Sequence, residues 1–139
     1  MRVCVLGLTV VFALGCGDGR RFAPVTGKVT LNGVPLVNAM VSFQPIAPKG
    51  SIDAGPGSSG TTNKDGDYTL KTDTDQPGAV VGNHRVIITL LGERAGSDER
   101  GKGRGVRLAS RVPAKYNDGW EIEVKAGEEN VKDFPLTDP

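Results

Sequence analysis

The sequence predicts an all-β protein, with about seven strands packed as two antiparallel sheets. Twenty glycines and nine prolines in 139 residues, with few aromatic residues, are typical of a chain with many turns and short strands. Several segments alternate apolar and polar residues with a period of two, as half-buried strands do. No segment beyond residue 15 has helical periodicity, so two packed sheets are the simplest way to bury these strands.

The first predicted strand is the clearest. In VTGKVTLNG, Val25, Gly27, Val29 and Leu31 share one face, and the Asn-Gly pair at 32–33 predicts a tight turn. In the next run, VNAMVSFQPI, residues 39, 41 and 43 are expected to point inward. Residues 47–60 are rich in Gly, Ser and Pro and predict a long loop.

The second half of the chain predicts the remaining strands. TTNKDGDYTLKT predicts a strand pair around a turn at Asp65 and Gly66, with Tyr68 and Leu70 inward. PGAVVGNHRVIITLLG is apolar on both faces, which favours a central strand. A second long loop, 92–111, follows. In the last two strands the inward residues are expected at positions 120, 122 and 124, then at 134 and 136.

The N-terminus predicts an export signal. Residues 3–15 are uncharged and follow Arg2, and a run of this length is too short to span a bilayer. Ala13 to Cys16 resembles the lipobox of bacterial lipoproteins, with residues 13 and 14 swapped. We therefore expect cleavage after Gly15 and lipid on Cys16. The alternative is a plain secretory signal with an incidental cysteine.

The domain boundaries follow from this interpretation. Residues 1–15 are the predicted signal peptide, 16–23 the lipidated cysteine and a flexible tether, and 24–137 the folded domain. The chain has a formal net charge of +1, and loss of Arg2 with the signal would leave it neutral. Nucleic-acid-binding proteins usually carry a clear basic excess, so no nucleic-acid partner is expected.

Several segments together resemble the carboxypeptidase regulatory-like, or transthyretin-like, β-sandwich module. They are Gly-x-Val at 27–29, Gly-x-Pro-Leu at 33–36, the small-residue strand at 39–43, NKDGDY at 63–68 and GNHRV at 82–86. With the lipobox, the chain is similar to small bacterial lipoproteins that have this module as their only domain. The resemblance implies a seven-stranded antiparallel Greek-key sandwich that binds or supports rather than catalyses.

Two motifs are candidate metal sites. Asn63, Asp65 and Asp67 alternate as calcium ligands do, but the acidic residue that should close a calcium loop is missing, so a solvated hairpin turn is favoured. His84 is the only histidine, and zinc would need further ligands at unpredictable places. We expect His84 to be a partly exposed structural residue, and no metal or other cofactor is expected.

No catalytic set is evident either. A single histidine has no Gly-x-Ser-x-Gly nucleophile to activate. Some enzymes of the transthyretin-like fold hydrolyse 5-hydroxyisourate, and they need further histidines and a C-terminal Tyr-Arg-Gly-Ser. This chain ends FPLTDP, so a hydrolase is disfavoured and the protein is not expected to be an enzyme.

Two surface features are candidate binding sites. Seven basic and three acidic residues lie between 92 and 115, which favours either a solvated loop or a site for an anionic partner. The ligand-facing residues predicted within it are Arg100, Lys102, Arg104 and Arg107. Tyr116 and Trp120 could stack on a sugar, although Trp120 is expected to fill the core instead.

The expected function is therefore that of a lipid-anchored protein of the bacterial envelope, facing the periplasm or the exterior. Its sandwich would bind an envelope protein or glycan through loops 47–60 and 92–111. The alternative is a structural envelope component without a specific ligand. An exposed apolar patch would favour binding.

Overall fold

The computed structural model describes residues 19–90, 112–116 and 118–138, and in these residues the protein is all-β. A short 3-10 turn spans Ala114–Tyr116. In chain order the strands of the described residues are β1 (Phe22–Ala23), β2 (Val25–Leu31), β3 (Val34–Pro35), β4 (Ala39–Pro45), β5 (Ser58–Thr61), β6 (Asp67–Thr69), β7 (Lys71–Thr72), β8 (Ala79–Val80), β9 (Gly82–Leu90), β10 (Trp120–Val124), β11 (Asn130–Val131) and β12 (Phe134–Leu136).

The strands form two larger sheets and one small one. One five-stranded sheet has the order β10-β9-β4-β5-β7 and is antiparallel throughout. The other is organised around β2, which pairs with β3, β6, β11 and β12. Strands β1 and β8 form a separate antiparallel pair. The pairing of β4 with β9 is the longest, from Ala39 opposite Leu90 to Pro45 opposite His84.

Side chains from both five-stranded sheets meet in one core. Phe43 of β4 lies edge-on to Phe134 of β12, with ring centroids 6.5 Å apart. The alternation that predicted β2 and β4 is confirmed. Every residue that the sequence analysis expected inward in these two strands is buried or half-buried, as are Tyr68, Leu70, Phe134 and Leu136. The fully buried residues of the core include Val25, Val29, Ala39, Val41, Phe43, Leu70, Val86 and Val124.

The predicted turn after β2 is also confirmed. Asn32 and Gly33 have φ values of 51° and 80° and join β2 to the antiparallel β3. Asn-Gly is the pair that tolerates two consecutive positive φ values with least strain. The exposed residue Val34 therefore pairs with Leu31, at the C-terminal end of β2, and Val25 lies at the other end of that strand.

The strand count and the pairing differ from the prediction of seven antiparallel strands. The described residues form twelve strands, five of them only two residues long, and β11 and β12 pair with β2 in parallel. Parallel pairing arises because β10 runs toward the end where β2 begins. The chain then turns at residues 125–129 and crosses to the other sheet, so it leaves in the same direction as β2.

The predicted strand pair around residues 65–66 is present, because β5 pairs antiparallel with β7 across the turn and the amide of Asn63 donates to the carbonyl of Asp67 over 2.9 Å. The turn joins β5, which pairs with β4 and β7, to β6, which pairs with β2 in the other sheet. The predicted loop 47–60 is longer than the loop in the structure, because β5 already begins at Ser58. Small residues are needed there because a Cβ on Gly60 would lie 2.3 Å from the carbonyl oxygen of Thr69. A composition typical of a loop therefore marks a close strand contact.

The folded unit also begins earlier than residue 24. Phe22 and Ala23, assigned by sequence to the tether, pair with Val80 and Ala79, and Ala23 is buried. The predicted signal peptide, the cleavage position Gly15 and the lipidation position Cys16 lie outside the described residues.

Candidate functional site

An open cleft of about 770 Å³ lies at the end of the molecule where β2 and β9 begin and β4 ends. Three stretches of chain form most of it: the segment before β1, the loop after β4 and the chain from β8 into β9. Its lining residues are Arg20, Arg21, Pro45, Ile46, Ala47, Pro48, Lys49, Asp53, Ala54, Val80, Val81, Gly82, Asn83, His84 and Glu123. The walls thus combine apolar surface with three basic and two acidic side chains.

The N-terminal segment is fixed against the cleft by backbone and side-chain contacts. The amide of Val81 donates to the carbonyl of Arg21 over 2.9 Å, which continues the β1–β8 pairing. The guanidinium of Arg20 forms an ion pair with Asp53 on the opposite side of the cleft. The segment and the loop after β4 therefore hold one another in place.

Residues 46–54, called the rim loop here, form one wall of the cleft and have their own internal hydrogen bonds. Asp53 accepts from the amide of Gly55 over 3.0 Å, and its own amide donates to the hydroxyl of Ser51 over 3.2 Å. The amide of Ile46 donates to the carbonyl of Asn83 over 2.8 Å, which ties the loop to β9. These local side-chain bonds are typical of ordered turns.

His84 lies in the wall of the cleft and is fully buried, so the prediction of a partly exposed residue was wrong. It is the third residue of β9, and its side chain lies on the core face, like those of Val86 and Ile88 further along the strand. Its Nε2 donates to the carbonyl of Val80 over 2.6 Å, and its ring lies 5.7 Å from that of Phe43. Its Nδ1 is buried without a hydrogen-bond partner.

This environment keeps the imidazole neutral. Burial lowers the pKa of His84 below its usual value of 6.5, and the hydrogen bond to Val80 opposes this shift only in part. Ser58 is a second buried residue whose side-chain oxygen has no partner, so the hydroxyl and the imidazole are not hydrogen-bonded to one another. The two do not form a nucleophile and base pair of the kind that activated serines require.

The residues weighed as a calcium loop stabilise a turn. The side-chain oxygen of Asn63 accepts from the amides of Asp65 and Asp67 over 2.9 and 3.0 Å. The carboxylate of Asp67 lies 3.2 Å from the ammonium of Lys28. In the described part of the chain, no three His, Cys, Asp or Glu residues come close enough together to hold a metal ion.

Tyr116 and Trp120 form the aromatic cluster that the sequence indicated. Their rings are stacked with centroids 5.0 Å apart, and Phe134 lies 5.2 Å from Trp120. Lys115 lies 5.0 Å from the centroid of the Tyr116 ring. Trp120 is half-buried and is packed between two other aromatic side chains. This packing favours a structural role over sugar stacking.

Arg100, Lys102, Arg104 and Arg107 fall outside the described residues, as does loop 92–111 as a whole. The contribution of Arg20 and Arg21 was not predicted, because their polar, glycine-rich surroundings are typical of a tether. The sequence shows only that two arginines are adjacent before the first strand, and this does not predict that Arg20 contacts Asp53.

Comparison with protein-family models, with curated proteins and with solved structures finds no match. Within residues 19–90, 112–116 and 118–138, no helix has the length and apolar character needed to cross a membrane.

Proposed function

We propose that the protein is a lipid-anchored component of the bacterial envelope whose domain is a non-catalytic binding module. In this proposal the two five-stranded sheets form a β-sandwich of the transthyretin-like type, and residues 1–15 are removed so that Cys16 carries the lipid. The family resemblance noted in the sequence supports the fold type. The uncharged run at residues 3–15 and the lipobox-like residues support the anchor.

The cleft carries the proposal that the domain binds a partner. Ligand sites commonly have volumes of about 300 to 1,000 Å³ and combine apolar walls with a few polar groups, and the cleft fits this description. The exposed side chains of Arg21 and Lys49 favour an acidic partner. We propose an envelope protein or an anionic glycan as that partner. The competing proposal is a structural component that binds no specific ligand.

The anchor is tested by the intact mass of the membrane-extracted protein beside its Cys16→Ser variant. The expected mass starts at residue 16 and includes a glyceride and acyl chains, which the variant lacks. An unmodified chain in the wild type would contradict the anchor.

Binding is tested by placing a photo-crosslinking amino acid at Asn83, in the cleft wall, and at Val34 as a control. Both positions are exposed. Products are analysed by mass spectrometry before and after muramidase digestion, which separates protein from glycan adducts. A discrete adduct at position 83 but not at 34 is expected. The same weak adducts at both positions would favour the structural alternative.

A further inference from the structure

The rim loop presents apolar side chains to the exterior. Ile52 is fully exposed, with 104% of its reference accessible surface, and it does not line the cleft. Ile46, at the start of the same loop, is 39% exposed. An isolated exposed apolar residue needs no explanation. In this protein three exposed apolar residues, Ile46, Pro48 and Ile52, lie in the same loop, so Ile52 is not an isolated case.

Basic side chains flank these apolar residues. Lys49 lies between the two isoleucines in the chain and is exposed, and Arg21 is exposed on the other side of the cleft. Asp53, the acidic residue of the rim loop, is paired with Arg20. Apolar side chains with neighbouring Lys and Arg are the combination that binds the interfacial region of bilayers with anionic lipids.

The rim loop also lies close to the proposed anchor. Arg20 contacts Asp53, the residue after Ile52, and Arg20 is four residues after Cys16. Four residues of extended chain span at most about 14 Å. A lipid on Cys16 would therefore hold the backbone of Arg20 within this distance of the lipid surface, and the rim loop lies one arginine side chain beyond Arg20.

We infer that the rim loop is a second contact with the phospholipid bilayer, through Ile52 and the neighbouring basic side chain of Arg21. This inference rests on the proposed lipidation of Cys16. The contact orients the domain, so that the cleft opens at the level of the lipid headgroups. Val34 and the turn at residues 63–66 lie at the other end, because β2 extends about 20 Å from Val25 to Leu31.

The experiment uses the mature lipoprotein in vesicles of phosphatidylethanolamine and phosphatidylglycerol. A polarity-sensitive fluorophore is attached at Lys49→Cys, or at Lys64→Cys as the matched control at the far end. Both lysines are exposed. The chain has cysteines only at positions 4 and 16, so the introduced thiol is the one free thiol after processing and lipidation.

The fluorophore at position 49 is expected to shift its emission to the blue and to lose signal when nitroxide-labelled lipid is included. The fluorophore at position 64 should do neither. Ile52→Asp should abolish the shift at position 49, whereas Val34→Asp, at an exposed position of the other end, should leave it unchanged. Both variants alter exposed side chains and should retain the wild-type thermal midpoint.

Two failures are distinguishable. If the intact mass shows acylated protein but positions 49 and 64 respond alike, the bilayer contact is wrong and the anchor stands. An unchanged response in the Ile52→Asp variant would also overturn the contact. If the mass shows no acylation and the protein does not float with the vesicles, the anchor is wrong and the contact falls with it.

Discussion

His84 and Val80 are joined by a 2.6 Å hydrogen bond from Nε2 to the carbonyl oxygen, while Nδ1 of the same ring is buried without a partner. Only the neutral imidazole suits this arrangement, because a proton on Nδ1 would have no acceptor. The geometry therefore links the protonation of one side chain to the stability of the wall of the cleft.

The first prediction concerns stability in mild acid. The pKa of His84 is lower in the folded protein than its ordinary value of 6.5. Below about pH 6.5 the unfolded chain therefore binds a proton at His84 more readily than the folded protein does. The stabilising contribution is present above about pH 6.5 and is lost as the pH falls from there toward the folded-state pKa. Urea unfolding between about pH 7.5 and pH 5 should show the free energy of unfolding falling with pH.

His84→Gln is the control for this prediction, because it removes the only imidazole in the chain. Its free energy of unfolding should depend less steeply on pH over the same range. Wild type and variant with the same pH dependence would show that the buried ring does not govern acid stability.

The second prediction separates the two tyrosines by alkaline titration. Burial, with a smaller effect from Asp133, raises the pKa of Tyr68 far above its ordinary value. Hydrogen bonds from the side chain and backbone of Thr137, with a smaller effect from Lys115, lower the pKa of Tyr116. Tyrosinate absorbance should rise in two separate steps, the first from Tyr116.

Tyr116→Phe should remove the early step and leave the late one. The late step should coincide with loss of structure, because stability from neutral Tyr68 is lost as the pH rises above about 10. Circular dichroism recorded on the same samples tests this. One combined step before unfolding would contradict it.

The third prediction concerns a buried hydroxyl at the junction of two strands. Thr62 donates to the carbonyl of Leu36 over 2.6 Å and accepts from the amide of Ala39 over 2.9 Å. Thr62→Val keeps the shape but removes both bonds and leaves a buried amide and carbonyl unpaired. We expect a loss of about 2 to 4 kcal/mol in the free energy of unfolding. Thr61→Val, at an exposed neighbour, should change it by less than about 0.5 kcal/mol.

The fourth prediction concerns the close approach of β2 to the C-terminal segment. A Cβ on Gly27 would lie 1.9 Å from the carbonyl oxygen of Lys132, and Gly27 is not at a positive φ, so the conflict is steric. Gly27→Ala should cost about 2 kcal/mol or more in denaturant unfolding. Gly57→Ala, whose Cβ would have only an ordinary 3.5 Å contact, is the matched control. Equal stabilities would contradict the packing described for β2.

Much of the fold could be predicted from local patterns. Strands β2 and β4 alternate clearly, and the turn at Asn32 needs only the Asn-Gly pair, so these features depend on residues close together in the chain. The pairing of β6 with β2 could not be predicted in this way. The turn at Asp65 and Gly66 predicts that the flanking strands pair with each other, but it does not predict that β6 also pairs with a strand of the other sheet.

The candidate site was the least predictable part for the same reason. The rim loop was predicted as part of a loop, but the ion pair between Arg20 and Asp53, which joins it to the N-terminal segment, is encoded by no pattern in either segment. The burial of His84 was missed because its neighbours Asn83 and Arg85 are polar and exposed. A period-two alternation that includes His84 with Val86 and Ile88 would have placed it in the core.

The parallel strands β11 and β12 also constrain how the molecule is made. The backbone of Asn130 bonds to that of Pro24, and the two residues are 106 positions apart. Such a fold has a high contact order, so the sheet around β2 cannot close until nearly the whole polypeptide has left the ribosome. Were the chain exported as proposed, this delay would leave it unfolded during translocation. A chain truncated before residue 130 would lack β11 and β12, so the edge of β2 that pairs with them would be exposed and able to pair with another chain.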